Sequence, residues 1–163
     1  MGGRAVHGLQ EGCFFHGYYG DWCFLPLDVF CGEQLLVSYL RPSNLDAAQH
    51  AGAILKLLVT RLRAAWPGVK IIFRGGSGFC RWKMLRWCER HGVDYIVGLA
   101  KNSRLLALAG EARQSAAAQW ERTQEKPRLF GWIDYAAGRW ERARRGSWPK
   151  PSTARRAPIR ALS

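Results

Sequence analysis

The chain has 163 residues, 48% of them apolar, which suffices for one domain with a real core and gives no sign of a second. No apolar stretch approaches the roughly 20 residues that cross a bilayer, and the N-terminus lacks a secretory pattern, so no membrane partner and a cytoplasmic location are expected. A net charge of +13 points toward nucleic acid, because Lys and Arg that neutralise phosphates supply most non-specific affinity.

In chain order, residues 24–30 and 34–40 are short β-rich runs on either side of Cys31-Gly32-Glu33, which predicts a hairpin. Asp46 is read as the N-cap of a helix through about Trp66. Ile54, Leu57, Leu58, Arg61 and Leu62 keep its spacing, and Pro67-Gly68 stops it. Residues 69–73 form a buried strand, 81–91 a helix closed by Gly92, and 93–99 a second buried strand. Ser103 is the expected cap of an Ala-rich helix over 104–124, followed by weak strands at 128–135 and 139–141. This order describes an α/β domain with a mixed sheet.

The five cysteines are odd in number and contain no Cys-x-x-Cys pair, so buried free thiols are expected rather than disulfides or a zinc site. Cys80 and His91 are a conceivable nucleophile and base, but nothing orders them into a triad. Eight tryptophans are candidates for base stacking, although Trp66, Trp82 and Trp87 fall in predicted helices, where packing is the commoner use.

The run Arg74-Gly75-Gly76-Ser77-Gly78-Phe79 follows a strand pattern and so stands at a strand's carboxyl end, where open α/β sheets put their sites. It carries no acid. With His7-Gly8-Leu9-Gln10-Glu11-Gly12, Phe14-Phe15-His16-Gly17-Tyr18-Tyr19, Cys23-Phe24-Leu25-Pro26-Leu27, Phe30-Cys31-Gly32, Leu40-Arg41-Pro42-Ser43-Asn44 and Val93-Asp94-Tyr95-Ile96-Val97-Gly98-Leu99-Ala100-Lys101-Asn102, it resembles the DDE-type transposases of bacterial insertion sequences, group 1 of the transposase DDE domains. The blocks stand in the family's order from His7 to about Arg144.

The resemblance implies a ribonuclease H-like mixed sheet with flanking helices, and metal-dependent cleavage and transfer of DNA strands. It implies DNA at insertion-sequence ends as partner, and Mg²⁺ held by three carboxylates. In the family's Arg-Gly-Asp-Ser-Gly-Phe motif the second aspartate falls at Gly76, which offers no ligand. The first aspartate is expected before Met1, on a first strand this chain lacks, and the third carboxylate beyond the C-terminal tail. No catalytic or metal-binding residue is therefore assigned, and no cofactor is expected for the chain as written. Asp28, Asp46, Glu89 and Asp94 read as caps, ion pairs or surface acids.

The expected organisation is a partial transposase DDE domain over 1–144 and a basic, Pro-rich tail over 145–163. From Arg139 to Ser163 there are eight Lys/Arg and one Glu, leaving 17 basic against 11 acidic residues before it. The tail reads as disordered. Codons exist for residues 147–163 whose neighbouring frame, entered at Gly146, resembles the family's continuation, so a frameshift is expected over an evolved DNA-binding arm.

DNA-phosphate candidates are Arg74, Arg81, Lys83 and Arg86 in and around the second helix, with Lys101 and Arg104 in the following turn. The plain alternative is a solvated helix face with Trp82, Leu85 and Cys88 turned inward. The functional expectation is an inactive transposase fragment. Its alternative is a non-catalytic basic module that binds DNA, or binds a full-length transposase and inhibits it. With the first strand missing, the hairpin and the 69–99 strands are each expected to expose an unpaired inner edge, because residues 1–19 should pair poorly in its place.

Overall fold

The computed structural model describes residues 4–5, 10–125, 130–149 and 157–160, and the chain divides into two compact units, 1–54 and 55–163. Among the described residues it is a mixed α/β protein with four α-helices and small sheets.

The first unit contains β1 (Arg4–Ala5), β2 (Phe14–His16), β3 (Asp21–Phe24), β4 (Leu27–Cys31) and β5 (Gln34–Tyr39). The 24–40 region forms the expected hairpin, β4 against β5, turning through Gly32 at φ +58°, a conformation that glycine adopts without a Cβ clash. Part of residues 1–19 forms strands, which pair with β3 and with neither the β4–β5 hairpin nor the 69–99 strands. Phe14, Phe15 and His16 lie opposite Cys23, Trp22 and Asp21, while β1 takes the other side of β3. The reason is a tight turn that composition did not reveal: the His16 carbonyl accepts from both Tyr19 and Gly20, with Gly20 at φ +67°.

Arg41, from one of the family-like blocks, organises this unit. The residue is 1% exposed, and its guanidinium donates to the carbonyls of Leu25 (3.0 Å), Gln49 (2.6 Å) and Ala47 (3.3 Å). Ser43 Oγ donates to the Phe14 carbonyl at 2.8 Å. Burying an arginine is tolerable only with such partners, so the Arg-Pro-Ser run works as a structural clip.

The first helix, expected from Asp46, starts later than its spacing implies. Asp46 accepts from the Ala48 N–H at 2.8 Å within a turn, and α1 begins only at Ala51 and runs to Ala65. Asp46 therefore caps a turn before the helix. Trp66 lies just beyond α1, 61% exposed, and is not a packing residue.

In the second unit β6 (Ile72–Gly75) runs parallel to β7 (Asp94–Leu99), with α2 (Trp82–Arg90) crossing between them. Gly92, at φ +57°, closes α2 as expected. Then follow α3 (Ser103–Leu108), α4 (Gly110–Thr123), β8 (Phe130–Tyr135), β9 (Arg144–Pro149) and β10 (Ala157–Arg160). The sheet order is β6-β7-β10-β9-β8, antiparallel from β7 onward. Val59, Leu85, Cys88, Val93, Tyr95, Val97, Leu99, Leu105 and Tyr135 form its core.

Three expectations changed here. The Ala-rich helix is two helices, because the chain turns at buried Ala109, next to the weak helix former Gly110. Its cap is Asn102, whose Oδ1 accepts from Leu105 N–H at 2.9 Å, and Ser103 is the first helical residue. No strand forms at 139–141. Residues 144–149 pair along β8, and 157–160 lie beside β7. Arg144 anchors β9 through the buried ion pair described below. The remainder of the tail lies outside the described residues.

Candidate functional site

The site begins where β6 ends. After Gly75 the chain enters a 3-10 turn, Ser77–Phe79, with Gly76 as its N-cap at φ −71°, ψ 178°. The Gly76 carbonyl accepts from Phe79 N–H at 3.0 Å, and Phe79 is buried. The turn lies directly on β7. A β-carbon on Gly98 would stand 2.9 Å from the Ser77 nitrogen, and one on Gly75 would stand 3.1 Å from the rings or side chains of Phe73 and Phe79. The loop thus keeps a defined, glycine-dependent shape. At Gly76 itself the backbone is extended and open to any L-residue, so nothing in φ or ψ requires glycine there.

The turn from Gly75 to Phe79 contains no carboxylate. Among the described residues no group of three or more His, Cys, Asp or Glu could hold a metal ion. The four acids weighed from sequence have structural partners. Asp28 accepts from Ser38 Oγ at 2.8 Å, Asp46 caps its turn, Asp94 lies 3.5 Å from Lys70 Nζ, and Glu89 is locked in an ion pair. A divalent ion of the kind that activates phosphoryl chemistry needs several hard oxygen donors, and these residues do not supply that set.

The basic candidates fall into two groups. Because β6 and β7 are parallel, the turns that follow them emerge at the same end of the sheet, bringing the 76–81 turn with Arg81 near the level of Lys101 and Arg104. Arg74, two residues before Gly76, is exposed on the strand face shared with Ile72. Lys83 and Arg86 lie along α2, with Lys83 Nζ 5.7 Å and Arg86 Cζ 6.0 Å from the Trp82 ring centre. Within the protein, Arg86 pairs with Glu141, and Arg104 Nη1 donates to the Ala136 carbonyl at 3.1 Å. The inward face of α2 is as expected at Leu85 and Cys88, both fully buried, while Trp82 is half-buried beneath its two cations.

Neither Cys80 nor Cys88 is an activated thiol. Burial pushes the Cys80 thiol up to about 11 and Cys88 up to about 12, so neither is a thiolate near neutrality. Cys80 and His91 flank opposite ends of the nine-residue α2, about 13 Å of helix apart. Cys31 is exposed, contrary to the expectation of burial.

Sequence reading missed the strongest polar cluster. Glu89 accepts from Arg144 Nε at 2.7 Å and Nη2 at 3.1 Å, from Tyr95 Oη at 2.6 Å, and pairs with Arg142 Nη2 at 2.9 Å. Burial alone would raise Glu89, but hydrogen bonds from Arg144 and Tyr95 and the charges of both arginines outweigh it and hold the carboxyl below its ordinary value. The only sequence signal was an acid at a helix position whose neighbours point inward.

A model of the transposase DDE domain, group 1, matches residues 3–146. The match covers most of the chain, and the chain belongs to this family of mobile-element transposases, whose members act in DNA transposition, bind DNA and generally depend on divalent metal. Neither the curated proteins nor the solved structures gave a match. No helix among the described residues is long and apolar enough to cross a membrane.

Proposed function

We propose that this protein is a DNA-binding derivative of a DDE transposase that has lost strand cleavage and transfer. The observation that carries this reading is Gly76. The loop around it retains the shape that follows β6, while the one position where the family's motif carries an aspartate has no side chain. Without carboxylates to hold metal, neither the attacking nor the leaving oxygen of a phosphodiester exchange would be stabilised. What remains is a set of cations on a ribonuclease H-like scaffold: Arg74, Arg81, Lys83, Arg86, Lys101 and Arg104 would contact DNA phosphates without reading bases.

The family match ends at residue 146, the point from which the neighbouring frame resembles the family's continuation. This supports a frameshifted origin for residues 147–163, within a bacterial cytoplasmic protein. A second role, inhibition of a full-length transposase by occupying its DNA, follows from retained cations and absent acids.

The test uses purified full chain with Mg²⁺ or Mn²⁺ and DNA carrying insertion-sequence ends. Binding without nicking or joining is expected. Metal-dependent cleavage would overturn the proposal.

A further inference from the structure

Arg86 and Arg104 lie on different helices, yet one segment holds both. Residues 136–143 link β8 to β9; Glu141 in this segment pairs with Arg86, and the carbonyl of Ala136 accepts from Arg104. The segment is fastened at its far end by Arg144, whose guanidinium grips Glu89 and lies 5.1 Å from the Trp140 ring centre. Trp140 in turn meets Tyr135 edge-on at 5.6 Å, and Tyr135 Oη accepts from Asn102 Nδ2 at 3.0 Å. Glu141 is therefore carried to Arg86 on a link anchored at both ends.

A carboxylate offers a guanidinium much the same oxygen pair as a phosphate does, so the two compete for one arginine. Glu141 also places a negative charge in the patch formed by Trp82, Lys83 and Arg86, where it would repel an approaching phosphate. The pair is partly exposed, with side chains 33% and 54% accessible, and ion pairs this exposed are weak enough for a phosphate to displace.

We infer that the 136–143 link is an autoinhibitory contact: Glu141 occupies Arg86 as an internal substitute for a DNA phosphate, and duplex DNA must displace it to engage that cation. This rests on the DNA-binding reading above.

The test measures binding of the full chain to a duplex of about 30 base pairs of arbitrary sequence over a range of salt. It compares Glu141→Gln, Arg86→Gln, the double variant, and Glu121→Gln, which removes an equal charge from α4. Glu141→Gln should tighten binding about two- to fivefold beyond Glu121→Gln. It should also steepen the fall of log K with log salt by about 0.9, one added phosphate contact. The double variant should lose both gains. Equal tightening by Glu141→Gln and Glu121→Gln, or a gain that survives in the double variant, overturns the inference and leaves the DNA reading standing. Absence of salt-dependent binding in every variant overturns both.

Discussion

Ser77 and Gly98 approach so closely that no side chain fits between them: a β-carbon on Gly98 would lie 2.9 Å from the Ser77 nitrogen and 3.4 Å from the Gly76 carbonyl carbon. These neighbours are backbone and cannot swing aside, so Gly98→Ala must lift the 76–79 turn from β7. A loss of about 1–3 kcal/mol is expected, read as a lower urea midpoint at unchanged slope. Gly52→Ala, on α1 with nothing within 4 Å, is the control and should be neutral or slightly stabilising.

Gly76→Asp should behave differently. Its φ of −71° suits any residue, so the variant should unfold within about 0.5 kcal/mol of the parent. It should still neither nick nor join DNA, since one carboxylate does not make the several-oxygen set a divalent ion requires. Cleavage by the single variant would show that the chain supplies the other metal-binding acids.

The Glu89–Arg144 pair should make stability acid-sensitive. The Glu89 carboxyl is held below its ordinary value, so the folded state binds its proton less readily than the unfolded chain does. Its contribution is then complete above the unfolded value near pH 4.3 and is lost as pH falls from there through the lower folded value. Glu89→Gln leaves buried Arg144, 6% exposed, without a charge partner and should cost about 3 kcal/mol at neutral pH. Urea midpoints at several acid pH values would check both, because the variant should lose this part of the acid dependence.

DNA affinity should be sequence-tolerant and fall steeply with salt, with log K decreasing by about 0.9 per phosphate contact for each tenfold rise. Changing Lys150, Arg155 and Arg156 together to Gln separates an arm from a passive tail, and leaves the chain length intact where deletion would remove β10 from beside β7. Unchanged affinity at low salt is the outcome expected of a frameshifted tail. A loss of three contacts' worth of salt slope would instead support the arm.

Exposed edges and apolar residues should govern solubility. Phe30, Leu35, Leu36 and Tyr39 on the β4–β5 hairpin are 40–59% exposed, and β6 is an edge strand with Ile72 48% exposed. Such strands template association. Replacing Leu35 and Ile72 by Lys should lower the aggregated fraction in sedimentation, whereas a monodisperse parent chain would show that neither edge is available.

By itself the sequence determined what neighbours in the chain decide: the β4–β5 hairpin with its Gly32 turn, the stop of α2 at Gly92, the buried strand β7, and the acid-free glycine turn after β6. Each depends on local periodicity, turn chemistry or a family-like motif, and each is read within a few residues. Tertiary structure alone decided which distant groups meet. Glu89 and Arg144 pair across 55 residues, Glu141 reaches Arg86, and Gly98 is a glycine because Ser77 packs on it. It also turned Ser103 from a cap into a helical residue and drew part of a polar tail into the sheet. Local sequence carries propensity, but a buried charge or a paired edge is stabilised by a partner whose position only the folded chain defines.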